Sequence, residues 1–271
     1  MIETASMPRK GLLNHNVTLE PTNHIYTDSV SGRIYDSISK VLKSVENEFE
    51  AEKISYFVAR KQLTAEGCLT TENLIKERQQ IILGQWEEKR DLAADHGTMI
   101  HKIIEDYLLT GIKAVGFELM LERMEAEIFS RYKQKFSEQI IPIDEHGVAG
   151  TADFLGMVNA STVDIFDWKT NLSKGIEFAN DYNKFFKSPV DHLNESNYSK
   201  YCLQLSAYGY MLYKAHGYKI RKLSIVFIPE LKPEEFKIVP LPFMLREAVD
   251  VMKSYRRAKQ LFTPDENLQT L

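Results

Sequence analysis

Three aspartates and a lysine lie in one β-like stretch of the sequence, GTADFLGMVNASTVDIFDWKT. Asp153 comes early in this stretch, Asp167 and Lys169 come at its end, and turn residues separate them. The turn predicts a hairpin that places Asp153 and Asp167 side by side at one edge. Two carboxylates beside a lysine suit a hard divalent cation such as Mg²⁺ or Mn²⁺. The alternative is a surface hairpin with a solvated Asp–Lys pair.

The parity of these residues along their strand separates them into two groups. Asp167 and Lys169 are two positions apart, so both side chains project from the same face. A metal ion beside them would lower the pKa of a bound water, and Lys169 would position the nucleophile and stabilise the transition state. Asp164 has the opposite parity and lies near the turn, so we expect a solvated residue with no part in the chemistry.

Two helical segments carry polar side chains four positions apart. HGTMIHKIIEDYL places His101 and Glu105 on one helix face, and KYCLQLSAYGYML places Lys200, Gln204 and Tyr208 on another. A single helical histidine is more often a capped or core residue than a ligand, and a polar stripe is commonly the solvent face. The nearby aspartates are what favour a functional interpretation of both segments.

The pattern of apolar residues predicts the elements that must position these side chains. Residues 1–20 read as a polar lead-in, followed by a hairpin and a helix capped at Asp36 or Ser37. The pattern is mainly helical over 46–109, with interruptions at Gly84 and Gly97, and another helix is expected over 116–135. Three strands in an antiparallel meander follow, and then a helix, two strands and a last helix. The order predicts a mixed α/β core behind a helical N-terminal region.

Composition excludes several classes of protein. The chain has 271 residues, 44% of them hydrophobic, and no apolar run long enough for a transmembrane helix. The N-terminus lacks the apolar core of a signal peptide, so we expect no membrane association and a cytoplasmic protein. Two cysteines cannot form a disulfide framework, a four-thiolate zinc site or an iron–sulfur cluster.

Four short motifs occur in a fixed order along the second part of the chain. His101 lies in a GTxxH context, GTAD ends at Asp153, Asp167 begins DWK, and Gln204 begins QLSAY. This order resembles the RecB-like branch of the PD-(D/E)XK nucleases, which includes bacterial recombination exonucleases, CRISPR-associated exonucleases and a mitochondrial single-strand exonuclease. The chain departs from several members in lacking the four cysteines of an iron–sulfur cluster, and it has no helicase motif.

The resemblance implies a fold, a cofactor and a site. The expected fold is a restriction-endonuclease-like α/β core, with a mixed central sheet flanked by helices and a helical N-terminal region. The core would span 96–271, and residues 1–95 would form a hairpin and helical region that gates or arches over the site. One or two Mg²⁺ or Mn²⁺ ions would be held by His101, Asp153, Asp167 and the backbone carbonyl of Trp168.

The same resemblance assigns the remaining residues of the site. Lys169 would be the catalytic lysine, and Gln204, Tyr208 and Lys200 would position the substrate phosphate. Glu138 matches an acidic position sometimes found in the family, although it fits a solvated strand edge equally well. Glu105, which shares the helix face of His101, is a weaker candidate.

The distribution of charged and aromatic residues indicates a class of substrate. Residues 169–222 contain nine cations and four acids, which gives +5 in a chain whose net charge is −4. Aromatic residues interleave with these cations, as on surfaces that stack single-stranded bases. The leading hypothesis is a metal-dependent DNA exonuclease of a bacterium or phage, acting on single-stranded or frayed ends in recombination, repair or phage DNA metabolism. A structure-specific or restriction-type endonuclease and a catalytically silent DNA-binding module remain alternatives.

Overall fold

A computed structural model describes residues 12–13, 15–20, 23, 25–170, 178–179 and 182–262. The strands are β1 (Val17–Glu20), β2 (Ile25–Asp28), β3 (Ile34–Ser37), β4 (Lys135–Ile143), β5 (Val148–Asn159), β6 (Thr162–Lys169), β7 (Lys219–Phe227) and β8 (Lys237–Leu241). The helices are α1 (Ile38–Lys43), α2 (Ala51–Ala65), α3 (Glu72–Thr110), α4 (Glu118–Glu127), α5 (Asn197–His216) and α6 (Leu245–Phe262). The protein is therefore a mixed α/β fold, consistent with a restriction-endonuclease-like core.

The strands form one mixed eight-stranded sheet. Its order is β1-β2-β3-β5-β6-β7-β8, and β4 pairs with β5 off this path. The β4–β5 and β5–β6 pairs are antiparallel, which confirms the predicted meander, whereas β3–β5 and β6–β7 are parallel. A register shift between Met157 and Asn159 precedes the turn into β6.

Several predicted elements differ from the observed ones. The lead-in over 1–20 contains β1, which pairs with β2, and residues 1–11 lie outside the described residues. Ser37, rather than Asp36, caps α1 by accepting a hydrogen bond from the Lys40 N–H. Gly84 and Gly97 do not interrupt α3, which runs unbroken for 39 residues.

The chain divides into two compact units. The larger contains Met1–Glu46 and Ile103–Leu271, and the smaller contains Asn47–Lys102. The predicted boundary at residues 95 and 96 falls inside α3, and the N-terminal strands belong to the larger unit. In the smaller unit, buried side chains of α2 and α3 form an apolar cluster of their own: Ala59, Leu63, Ile75 and Ile82.

The core of the larger unit lies where α1, α5 and α6 pack against the sheet. Odd-numbered β6 residues, Val163 and Ile165, share this core with Leu203 and Leu205 of α5. Even-numbered β6 residues meet an aromatic cluster instead, in which the Phe166 and Phe154 rings lie 5.8 Å apart. Because side chains alternate along a strand, Asp167 and Lys169 lie on the side that α5 covers.

Candidate metal centre and lysine site

A gap in the sheet positions the GTAD segment. Partner β4 follows one edge of β5 from Val148 to Gly156. On the other edge, β3 pairs with residues 148–149 only, and β6 pairs from Phe154 onward. Residues 150–153 therefore lie between two partners, where that edge of β5 has no strand beside it among the described residues. Backbone and side chains at such a gap are available to bind a ligand.

Asp153 lies at the point where β5 and β6 separate. Its Oδ2 accepts a hydrogen bond of 2.6 Å from the backbone N–H of Trp168. The Lys169 carbonyl accepts from the Ile228 N–H on the opposite edge of β6, at 2.8 Å. Since successive residues of a strand direct their backbone groups to alternate edges, the Trp168 carbonyl faces the gap and Asp153. The predicted backbone ligand is therefore directed towards the predicted carboxylate.

Two carboxylates of the larger unit are close enough to share a metal ion. Glu138 and Asp153 each offer a ligand oxygen, and these two atoms lie within 4.8 Å of one another. His101, the predicted third ligand, lies on α3 within the smaller unit. Glu138 falls between Ser137, which pairs with Phe154, and Gln139, which pairs with Ala152, so it stands opposite Asp153. Its φ of 48° is unusual for a residue other than glycine. Such strain clusters at functional sites, because the surrounding structure must hold it in place.

Lys169 lies beside Asp167, as the shared parity predicts. Its Nζ is 2.5 Å from Oδ2 of Asp167, and both side chains are largely buried. Burial favours the neutral amine, but the charges of Asp167 and Asp153 outweigh it and raise the pKa of Lys169. Lys169 is therefore a cation at neutral pH, which suits it to stabilise negative charge rather than to accept a proton.

Residues of α5 extend this arrangement. Lys169 Nζ donates to Oε1 of Gln204 at 3.3 Å, and Nε2 of Gln204 donates to the Tyr208 hydroxyl at 3.1 Å. Burial, followed by the charge of Asp167, raises the pKa of Tyr208 well above its ordinary value, so the phenol stays neutral. Two members of the predicted stripe, Gln204 and Tyr208, are thus connected to Lys169 in the larger unit.

A glycine allows Tyr208 to reach this position. A Cβ placed on Gly150 would lie 2.4 Å from Cε1 of Tyr208 and 3.3 Å from Cγ1 of Ile38. The first residue of GTAD is therefore glycine because the tyrosine ring occupies the space of a side chain.

The remaining sequence candidates, Lys200, Glu105 and Glu138, have different surroundings from those of Gln204 and Tyr208. Lys200 Nζ forms an ion pair of 2.9 Å with Glu46, so its nearest partner is the segment after α1. Glu105 is buried in the last turns of α3. Glu138, the more doubtful sequence candidate, lies beside Asp153.

Asp164 is not the solvated residue that the sequence predicts. It is fully buried, and its carboxylate accepts hydrogen bonds from Arg221 at 2.9 and 2.5 Å and from the Tyr132 hydroxyl at 2.5 Å. Asp164 does project from the face of β6 opposite to that of Asp167, as predicted. That face is covered by other side chains rather than exposed. Tyr132 reaches Asp164 because its ring packs on Gly156, which pairs with Asp164 in the sheet.

Tyr201 is a site residue that sequence reasoning did not assign. Lys169 Nζ lies 5.0 Å from the centre of its ring, within the range of a cation–π contact. Tyr201 precedes Gln204 by three positions on α5, so the two share a helix face. The sequence therefore contained a spacing that could have identified Tyr201. It contained no signal for the backbone strain of Glu138, because no residue type in SEQII predicts a positive φ.

The two carboxylates of Glu138 and Asp153 fit a divalent metal ion. Carboxylate oxygens with a backbone carbonyl suit Mg²⁺ or Mn²⁺. Lys169 places a positive charge beside the carboxylate of Asp167.

Comparisons with known proteins give only distant likenesses. No family model matches the chain, and no curated protein matches its sequence. A solved structure from Eubacterium rectale, provisionally described as an exonuclease, is 16% identical, with a TM-score of 0.42 over 85% of this chain and 83% of that one. A second structure, of the protein SSO0001, is 15% identical, with a TM-score of 0.27 over 84% of this chain and 85% of that one. Neither likeness defines an activity, so function rests on the site.

Proposed function

We propose that this protein is a divalent-metal-dependent DNA nuclease that hydrolyses phosphodiester bonds, acting as an exonuclease on single-stranded or frayed ends. The observation that carries the proposal is Asp153 in the gap of β5. Its carboxylate accepts a hydrogen bond from the Trp168 N–H and lies within 4.8 Å of the Glu138 carboxylate. A lysine cation with two carboxylates near it completes a charge pattern that suits phosphate chemistry.

Each residue has a distinct role in this proposal. His101, Asp153 and Glu138 would hold the metal ion, with Asp167 and the Trp168 carbonyl as further oxygen ligands. A bound divalent ion lowers the pKa of its water and neutralises phosphate charge. Lys169 would hold the attacking water or a phosphate oxygen by charge, since its raised pKa keeps it protonated. Gln204 and Tyr208 fix the direction of the Lys169 side chain by hydrogen bonds.

Aromatic residues beyond the site support a single-stranded substrate. Phe178 and Tyr198 have ring centres 4.9 Å apart, and Tyr182 is 83% exposed. Exposed rings such as those of Phe178 and Tyr182 stack on unpaired bases. The predicted bridge over 173–198 lies partly outside the described residues, and the gating role of the N-terminal helices stays a prediction.

None of the helices in the described ranges is long and apolar enough to cross a membrane.

The first test is cleavage by site variants. Asp153→Ala and Lys169→Ala should each abolish release of nucleotides from linear DNA in Mg²⁺ or Mn²⁺ while circular dichroism shows a folded protein. Lys219→Ala, which removes an exposed cation at the start of β7, should cut like the wild type. Unchanged activity in both site variants would overturn the mechanism.

A second assay separates the exonuclease from the endonuclease. Closed circular and linear DNA, single- and double-stranded, are incubated with the wild type and either metal. An exonuclease degrades only the linear forms, whereas cutting of closed circles assigns the same chemistry to an endonuclease. A protein that binds all four forms and cuts none in any metal is a silent binding module.

A further inference from the structure

Helices α1 and α6 carry a concentration of positive charge that the metal centre does not use. In α6, five cations and two acids give a net charge of +3, and α1 adds two lysines without an acid, although the whole chain carries −4. Arg256 and Arg257 follow Lys253 by three and four residues, so these three exposed side chains share one face of α6.

A buried carboxylate joins the two helices. Asp36, which is 9% exposed, accepts from Lys40 of α1 at 2.6 Å and from Lys259 of α6 at 2.5 Å. Both lysine side chains remain mostly exposed, at 62% and 60%. One carboxylate therefore holds two ammonium groups close together at the surface.

Glu145 anchors further cations of this region. Arg256 donates to the Glu145 carbonyl, and Lys214 of α5 lies 3.9 Å from the Glu145 carboxylate. Lys43, Lys253 and Arg257 form no ion pair within the described part of the chain. We call Lys40, Lys43, Lys253, Arg256, Arg257 and Lys259 the α1–α6 basic surface.

We propose that the α1–α6 basic surface binds the sugar–phosphate backbone of a nucleic acid. The α6 cations of this surface, from Lys253 to Lys259, extend over about 9 Å along the helix axis, the axial length of about three nucleotide steps. Cations fixed at such spacings match neighbouring phosphates, and the counterions they release supply the binding free energy.

The packing of α6 distinguishes a nucleic acid from an anionic membrane. An amphipathic helix that binds lipid must insert its apolar face between the headgroups. The apolar face of α6 is already buried in the core, through Ala248, Val251 and Met252. Only the charged face of the helix is presented to a partner.

The inference deepens the proposed function, since it names a surface that holds the nucleic acid apart from the metal ligands. Binding is therefore measured without metal, in EDTA, so that no cleavage can occur. Labelled 20-base-pair duplex and 20-nucleotide single-stranded DNA are titrated by fluorescence anisotropy at several KCl concentrations. The test variant combines Lys43→Ala, Lys253→Ala and Arg257→Ala.

The test variant should bind at least tenfold more weakly, and the slope of log affinity against log salt should fall by about 2.7 for duplex or about 2.1 for single strands. The matched control combines Lys61→Ala, Lys89→Ala and Lys237→Ala, three exposed lysines whose removal changes the net charge equally. Its affinity should stay within twofold of the wild type.

Three results would each overturn the inference. The first is an unchanged salt slope in the test variant, and the second is an equal loss of DNA affinity in the control. The third is co-sedimentation with phosphatidylserine vesicles that the three test substitutions abolish while DNA binding is unaffected. Loss of DNA binding by the test variant in a protein that never cleaves would support the surface and refute the nuclease. Cleavage by the wild type with an unchanged salt slope in the test variant would support the nuclease and refute the basic surface.

Discussion

The backbone N–H of Trp168 donates a hydrogen bond of 2.6 Å to the carboxylate of Asp153. This bond takes the place of a ladder hydrogen bond, because the regular β5–β6 pairing ends at Phe154 and Phe166. It fixes the carboxylate at the gap in the sheet, where it meets Glu138. Asp153 therefore joins β5 to β6, and in the proposed nuclease it also holds the metal ion.

Two substitutions of Asp153 separate these roles. Asp153→Asn keeps an oxygen that can accept from Trp168 but removes the charge, whereas Asp153→Ala removes both. Both variants should lose cleavage. Urea denaturation should show the alanine variant less stable than the asparagine variant by about 1–3 kcal/mol, because a buried N–H loses its partner. Equal unfolding free energies would show that the hydrogen bond contributes nothing.

Asp164 and Asp167, three positions apart on β6, should respond oppositely to the same substitution. Asp164→Asn leaves Arg221 without a counter-charge, and we expect a loss of about 1–3 kcal/mol in unfolding free energy with normal cleavage per folded molecule. Asp167→Asn should abolish cleavage. Denaturation and cleavage are measured on both variants, and a cleavage defect in Asp164→Asn at full folding would place that residue in the site.

Local patterns in the sequence were sufficient to predict the meander, the turn near residue 160 and the shared face of Asp167 and Lys169. Each depends on residues close in sequence, through strand parity and turn chemistry. The gap in β5 was beyond such reasoning, because it arises where β3 pairs with Val148, more than one hundred residues away. The burial of Asp164 likewise depends on Arg221, which lies 57 positions later.

Gly150 should be intolerant of the smallest side chain. A Cβ there would lie 2.4 Å from a buried ring atom of Tyr208, so Gly150→Ala should cost about 1–3 kcal/mol of unfolding free energy. Combining it with Tyr208→Ala should cost less than the sum of the two single changes, because the clash disappears. Gly209→Ala is the control, since its Cβ would meet the half-exposed Phe243, which can move. Additive effects of Gly150 and Tyr208 would contradict the close approach.

Acid should destabilise the fold through buried histidines. Burial lowers the pKa of His146, whose Nε2 lies 3.4 Å from the Tyr210 hydroxyl, and burial also lowers that of His216. The charged groups around His146 act in both directions, Glu145 raising its pKa and three cations lowering it: Arg256, Lys253 and Lys214. Between the lowered pKa of the folded state and the pKa of the unfolded chain, the folded protein therefore binds fewer protons than the unfolded chain.

The sign of the effect follows from proton linkage. A histidine with a lowered pKa in the folded state contributes stability above the unfolded value, about 6.5, and this stability is lost as pH falls below it. The unfolding free energy should decrease from pH 7.5 to 5.5, by at most about 1.4 kcal/mol per pH unit for each histidine. His146→Phe places a non-titrating ring beside Tyr210 and should flatten this dependence in urea denaturation at the two pH values. An equally steep dependence in the variant would show that His146 does not carry it.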